Sequence, residues 1–515
     1  MSEAPDTVQR VRVLLASIFV VALCSITYEL IIGTLSSYLL GNSVFQFSII
    51  IGLYMSAMGV GSYLSRFIEN DLLDKFMWVE IGVGFLGGTS TAVLFGVFAY
   101  SPWVQYAIWG WTFVLGILVG LEIPLLTRHL REYEQLRIAL ANVLSWDYVG
   151  ALGGSLAFPL ILLPNLGLLN TAVVVGLLNI AVALGGVAFF RKQLKAPRAL
   201  LAAVSVVAMI LIGLLFASKP YESFLDRKLF ADPVVFKEQS PYQNLTITAW
   251  NNDVRLFING NIQFSSVDEY RYHEALVHPV MYAVGAPKRV AVMGGGDGLA
   301  IREILKFPGV ESVVLVDLDP AMTDLGMEHP TLRRLNEDRM RDPRVQIVHE
   351  DAMSYLANHR EPFDVVIADL PDPNNEGLAK LYSVEFYRLV RQRLRPGGAF
   401  VTQSTSPYFS RSAFWSIHAS VTQAFCAQPC EEGAILPYHV WVPSFGDWGF
   451  NLAMTRPVPV SQFPYSVPAR YLNAATMAAA LTFPPDNART DVQASRLMEP
   501  RILSYYLRDW ERFNP

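Results

Sequence analysis

Apolar positions divide this chain into two regimes. Before Lys219 they run almost unbroken, and after it they come in short runs between polar stretches. Seven apolar segments, at 13–35, 45–64, 77–100, 103–126, 139–163, 170–190 and 199–217, are each close to the roughly 20 residues a helix needs to cross hydrocarbon. Residues 234–264 alternate with period two through LTITAW, VRLFING and NIQF, with turns at Asn251-Asn252-Asp253 and Asn259-Gly260. This predicts a small antiparallel unit of three or four strands. A helical pattern follows over 268–282. Then apolar runs at 289–293, 312–317, 344–349, 363–368 and 398–403 alternate with helical stretches, and runs at 438–443 and 448–455 complete the sheet at its edge. That alternation predicts a doubly wound parallel sheet. The tail, 456–515, is Pro-rich and then helical near 469–480, with no role assigned. The expected fold is an all-α transmembrane bundle of about seven helices over 1–218. A small β-unit with a gating helix follows over 219–283, then a Rossmann-like α/β domain of the methyltransferase type over 284–515.

Charge sharpens the membrane reading. Arg10 and Arg12 precede the first segment, and the second, fourth and sixth connections carry Arg66 and Lys75, Arg128, Arg131 and Arg137, then Arg191, Lys192, Lys195 and Arg198; the other three carry no Lys or Arg. The positive-inside rule puts the amino terminus in the cytoplasm of a multi-pass protein of the cell inner membrane. Seven crossings place the region after Lys219 on the far, periplasmic side; one miscounted helix reverses that. The first stretch is too long for a cleaved signal peptide and no A-x-A site follows it. A net charge of −5 argues against nucleic acid as a partner. Glu29, Glu80, Glu122 and Asp147 fall in or near the apolar segments, where an acid either lines a bundle interior or cation path, sits at the interface, or stays protonated. Glu80, close to Lys75, is expected in one of the latter two states. Gly52, Ser56, Gly59 and Ser62 predict a close-packing face on the second segment. Cys426 and Cys430 could pair or remain free thiols.

The second half is organised around 290–319, VAVMGGGDGLAIREILKFPGVESVVLVDLD. A strand runs into Gly294-Gly295-Gly296-Asp297-Gly298, a helix follows, and a second strand ends in Asp317. Glycines allow a sharp turn and close ligand approach, and an acid about 20 residues on suits ribose hydroxyls. A nucleoside-type ligand is expected at the carboxyl ends of the strands. Acids follow four successive predicted strands there: Asp297; Asp317 and Asp319; Glu350 and Asp351; Asp369 and Asp372. Converging carboxylates repel unless a cation balances them. No calcium-type loop occurs, and the spacing of His273 and His278 is wrong for a zinc helix. A cationic organic substrate is the better expectation, with no metal.

Tyr242-Gln243, Asn259-Gly-Asn-Ile-Gln263, Asp268-Glu-Tyr-Arg-Tyr-His-Glu274, Gly294-Gly-Gly-Asp-Gly298 and Asp369-x-x-Asp-Pro373 occur in one order. Together they resemble the polyamine aminopropyltransferases, the spermidine synthase family, over roughly 240–455. The whole chain looks like the membrane-fused branch of that family. The resemblance implies transfer of an aminopropyl group from decarboxylated S-adenosylmethionine to an amine such as putrescine, giving spermidine and methylthioadenosine. By position it implies Asp369 as general base and Asp372 as its partner on the amine. Tyr272, His273 and Asp297 become amine contacts. Gln243, Gly294, Gly295 and Gly296 lie against the nucleoside, Asp317 on the ribose, and Asp351 with Ala352 at the adenine. It leaves room for a homo-oligomer. The chain departs from the family pattern in three places. Leu370-Pro371 stands where a small polar pair is usual, Asn375-Glu376 stands where a Pro often follows, and Phe445 and Trp448 stand where a late Tyr is expected.

Two other readings share parts of this pattern. A methyltransferase has the same sheet and glycine turn but needs neither Asp297 nor the Tyr-His-Glu helix. A transport or sensing protein could bind polyamine without turnover, with Glu29 and Glu122 on a cation path. Release of methylthioadenosine separates them.

Overall fold

The computed structural model describes residues 5–513 apart from 42, 132, 134 and 427–430, and the chain forms two compact units, Met1–Ala231 and Asp232–Pro515. Cys430 lies outside the described residues, so the pairing of Cys426 and Cys430 is left there.

In the first unit six helices are long and apolar enough to cross a membrane: Val8–Leu40, Val44–Phe67, Leu72–Tyr100, Val104–Leu130, Leu136–Phe189 and Pro197–Leu229. The fifth and sixth expected segments fall inside the single 54-residue run Leu136–Phe189. That run is interrupted by a π-helical turn at Phe158–Leu162 and by Gly167, at φ 70 and ψ 178. A left-handed residue breaks helical geometry, and glycine allows it without a Cβ clash. The small-residue face expected of the second helix is outward: a Cβ on Gly52 or Gly59 would meet nothing within 4 Å. The close approach is made on another face, where a Cβ on Gly120 would lie 2.2 Å from the Met58 carbonyl oxygen. Glycines of both helices set that contact, since a Cβ on Gly61 of the second helix would lie 2.0 Å from the Ile117 carbonyl oxygen.

Three connections lie together at one end of this unit. Arg128 Nη1 donates to the Ser65 carbonyl at 3.0 Å, the Lys195 amide to Asp74 Oδ1 at 3.0 Å, and Tyr133 Oη to Gln193 Oε1 at 3.4 Å. Glu80 and Glu122 are buried, and Asn179 Nδ2 donates to Glu80 Oε2 at 2.9 Å. Glu80 is therefore inside the bundle and away from its interface. Glu29 and Asp147 are half-buried.

The second unit holds two sheets. The four-stranded antiparallel sheet runs β1 (Val234–Gln239), β2 (Asn244–Trp250), β3 (Asp253–Ile258) and β4 (Asn261–Ser265) in chain order. After the helix Glu269–Val284 comes the seven-stranded sheet. Its members are β5 (Arg289–Gly294), β6 (Ser312–Asp317), β7 (Val345–His349), β8 (Phe363–Asp369), β9 (Leu394–Gln403), β10 (Ile435–Val442) and β11 (Gly446–Met454). Their order is β10-β11-β9-β8-β5-β6-β7. From β9 through β8, β5 and β6 to β7 each strand pairs parallel with the next, and β11 pairs antiparallel with both β9 and β10. Every strand the alternation predicts is present to within a few residues. β5 and β8 are adjacent, with β6 and β9 continuing in opposite directions, so strand order reverses between them. Ligands bind outside the strand ends at such a point.

The Pro-rich tail carries the expected helix, at Ala474–Ala480, and an unexpected one at Arg501–Trp510. Glu274, from the Tyr-His-Glu stretch, holds the tail: its carboxylate accepts from the amides of Arg470 at 2.6 Å, Tyr471 at 2.8 Å and Leu472 at 2.9 Å.

Candidate active site

A cavity of about 580 Å³ opens over the carboxyl ends of β5, β6 and β8. Gln243, Tyr272, His273, Gly294, Gly295, Gly296, Asp297, Asp317, Asp351, Ala352, Asp369 and Asp372 all line it, so these twelve residues face one space. Of the acids that close the predicted strands, only Glu350 turns away, toward His359 Nε2 at 3.3 Å.

The glycine turn makes this convergence possible. Gly294 and Gly295 have φ of 78 and 71. A Cβ at Gly294 would lie 2.1 Å from the Asp369 carbonyl oxygen, so the ends of β5 and β8 can touch only if this residue has no side chain. At β6, Asp317 accepts from the Asp319 amide at 2.9 Å and the Gly296 amide at 3.1 Å. Burial pushes its carboxyl up to about 6, against those two bonds. Asp319 reaches the β-unit instead, accepting from Ser240 Oγ at 2.6 Å, and thereby fixes the loop that carries Gln243. Asp351 caps the next helix, accepting from the Ser354 amide at 3.0 Å, and pairs with Lys380 Nζ at 2.7 Å. Burial raises its carboxyl, but Lys380 and the Ser354 bond outweigh that and hold it below its ordinary value.

Tyr272 Oη donates to Asp369 Oδ1 at 2.6 Å. Burial pushes the Asp369 carboxyl up, with His273 and Tyr272 pulling the other way. Asp297 Oδ1 accepts from the Leu299 amide at 2.9 Å, so from just outside the short helix Leu299–Ile304 it satisfies that helix's first amide and lines the cavity at once. Its carboxyl is raised to about 6, by burial first and by Asp369 in part, against His273. His273 is held from behind: Nδ1 lies 2.8 Å from Glu269 Oε2, and Arg302 donates to both oxygens of that carboxylate at 2.8 and 2.9 Å. Burial disfavours its charge, but Glu269 outweighs burial and lifts the imidazole to about 9, so it is a cation at neutral pH. The carboxylates are therefore partly balanced by the protein's own His273 and Lys380, a charge source that the strand-end acids do not reveal.

Asp372 has donors that no motif or spacing along the chain marks. Tyr506 Oη reaches Oδ2 at 3.0 Å, Thr405 Oγ1 reaches Oδ2 at 3.2 Å, and Gln403 Nε2 reaches Oδ1 at 3.4 Å. Burial raises this carboxyl to about 6 against those bonds. Thr405 sits at φ 56, a strained position for a β-branched residue. The Leu370-Pro371 pair is anchored through its backbone, with Tyr382 Oη donating to the Pro371 carbonyl at 2.8 Å and Gln403 Nε2 to the Leu370 carbonyl at 2.6 Å. Among the described residues no His, Cys, Asp and Glu group could hold a metal ion.

The family model for the Spermine/spermidine synthase domain matches residues 269–461. Similarity extends much further, into the helical unit. A polyamine aminopropyltransferase of Leptospira interrogans is 43% identical over 96% of this chain and 98% of its own length. Polyamine aminopropyltransferase 1 of Ralstonia nicotianae is 44% identical over 99% and 98%. The chain belongs to the polyamine aminopropyltransferases. A solved spermidine synthase in complex with the transition state analogue AdoDATO is 25% identical and covers 49% of this chain and 85% of its own, with a TM-score of 0.44. The spermidine synthase of Thermotoga maritima is 26% identical over 49% and 84%, also at 0.44. In this aminopropyltransferase the family match at 269–461 lies within the second unit, and relatives share the full span including the apolar helices.

Proposed function

We propose that the cavity transfers the aminopropyl group of decarboxylated S-adenosylmethionine to a diamine such as putrescine, giving spermidine and methylthioadenosine. The observation that carries this reading is the meeting of Asp369, Asp372, Asp297 and Tyr272 in one cavity with the glycine turn. In it, Gln243, Gly294, Gly295, Gly296, Asp317, Asp351 and Ala352 hold the nucleoside. Asp369 accepts a proton from the attacking ammonium. An aliphatic amine has a pKa near that of lysine, about 10.4, so at neutral pH it must lose a proton to attack. Its nitrogen forms the new N–C bond, the C–S bond breaks, and its electron pair goes to sulfur, which leaves as a neutral thioether. The sulfonium makes that carbon electrophilic without a metal, so the protein's task is alignment and proton removal. Asp372, Tyr272 and Asp297 hold the amine. His273, a cation engaged with Glu269, serves better as a counter-charge keeping Asp297 and Asp369 ionised than as a partner for an ammonium.

Purified full-length protein given decarboxylated S-adenosylmethionine and putrescine should form spermidine and methylthioadenosine in equal amounts. Methylated product from S-adenosylmethionine, with no aminopropyl product, would end this reading.

For the first unit we infer seven crossings of the inner membrane. The support is that the connections at both ends of the run Leu136–Phe189 join at one end of the unit, through Tyr133 and Gln193. A run of 54 residues is about 80 Å long at 1.5 Å per residue, far more than one hydrocarbon thickness. It must therefore fold back, and the break at Gly167 is where it can. With the basic connections at that same end, the positive-inside rule keeps the amino terminus cytoplasmic and puts the catalytic unit on the opposite face.

A further inference from the structure

The helix Arg501–Trp510 lies beyond residues 269–461, where the family model matches, yet it reaches the cavity. Its pattern is amphipathic: Ile502, Leu503, Tyr506 and Asp509 are buried. These residues sit at i, i+1, i+4 and i+7, one face of a helix. Ile502, Leu503 and Tyr506 join the core beneath β8 and β9. Asp509 locks the helix in place, accepting from the Ser412 amide at 2.6 Å and Ser412 Oγ at 3.0 Å. Trp510 stacks on Phe409 with ring centroids 5.5 Å apart and planes 10° apart. So seated, the helix presents Tyr506 and Trp510 to the cavity, where both are lining residues alongside Phe445 and Trp448.

We propose that Tyr506 is a positioning residue for the acceptor amine, acting through its hydrogen bond to Asp372, and that Trp510 walls the acceptor end and sets how long an amine fits. This rests on the aminopropyl-transfer reading given above. Asp372 Oδ2 has two donors, and Tyr506 at 3.0 Å is the nearer. A carboxylate held by a fixed phenol keeps one orientation, so its remaining lone pairs point in one direction for an ammonium. Trp510 lies beside Tyr506, with ring centroids 6.1 Å apart, and its flat indole limits length by contact.

The test is calorimetric titration of putrescine, and of homologues lengthened by one or two methylenes, into the full chain saturated with methylthioadenosine. Turnover of the wild type is measured in parallel. Tyr506→Phe should weaken putrescine binding by about tenfold, the scale of a lost hydrogen bond to a charged group, with methylthioadenosine affinity unchanged. Ser504→Ala, on the exposed face of the same helix, should change neither. Trp510→Ala should shift preference toward the longer diamines by about fourfold per added methylene, the worth of one buried CH₂. Putrescine binding to Tyr506→Phe at wild-type strength, or equal loss of diamine and nucleoside, overturns the role of Tyr506. An unchanged length ranking in Trp510→Ala overturns that of Trp510, and a wild type that binds no diamine overturns both. A wild type that binds diamine without turnover defeats the reaction reading, and the comparison of variants still decides this one.

Discussion

At the scale of single residues, the chemistry rests on which carboxylates are charged. Asp297 and Asp372 are raised to about 6 and Asp369 is also raised, all with burial as the largest cause. As pH falls through about 6, Asp297 and Asp372 take up protons and lose their attraction for an ammonium. The kcat/KM profile should therefore drop on its acid side near pH 6, and a profile flat down to about pH 4, near the ordinary carboxylate range, contradicts this. Asp297 also bears on the choice of donor, because ordinary S-adenosylmethionine carries an extra α-carboxylate. Two carboxylates about 4 Å apart repel by roughly 4 kcal/mol at an effective dielectric of about 20. Neighbouring His273 offsets part of that, and half of it is still more than tenfold in affinity. Asp297→Asn should lose discrimination between the two nucleosides; equal changes in both affinities would leave Asp297 only as the acceptor of the Leu299 amide. The acids were legible in the sequence because each follows an apolar run. The charge on His273 was not, because it depends on Glu269 and on Asp297 and Asp369, which only the fold brings beside it.

Among elements, the strands and the glycine turn were legible because period-two alternation and the turn chemistry are local. The pairing of Tyr506 with Asp372 spans 134 residues, and no local pattern reports it. The helix Glu269–Val284 shows how one element serves several ends: Tyr272 faces Asp369, His273 stands among the acids, and Glu274 holds the tail. Its anchor is the buried Glu269–Arg302 pair, closed by His273. Removing one partner of a buried ion pair costs about 3–5 kcal/mol. Glu269→Gln should lower unfolding free energy of the second unit by that order at neutral pH, measured by denaturant titration. The sign with pH follows from His273. Its folded value, about 9, lies above its ordinary 6.5, so its contribution is complete below 6.5 and is lost as pH rises through 9. The deficit of Glu269→Gln should shrink above pH 9, and a constant deficit would remove His273 from the network.

Across the whole molecule, the division into an apolar helical unit and an α/β unit was plain from composition, but the number of crossings was not. The apolar pattern separates its fifth and sixth segments between 163 and 170, and the helix leaves helical geometry in that gap, at Gly167. Reporter fusions after Arg12 and Arg198 should both read cytoplasmic and one after Lys228 periplasmic; a cytoplasmic reading at Lys228 would contradict seven crossings. The central claim is that the cavity performs aminopropyl transfer with Asp369 as the base. It is tested most directly by a single-turnover measurement of methylthioadenosine release from the purified full chain, with decarboxylated S-adenosylmethionine and putrescine at neutral pH, beside Asp369→Asn. The account predicts release from the wild type, and from Asp369→Asn a loss of about 10²–10⁴-fold, the usual worth of a general base, with nucleoside binding intact. No release from the wild type, or release from the variant at the wild-type rate, would contradict it.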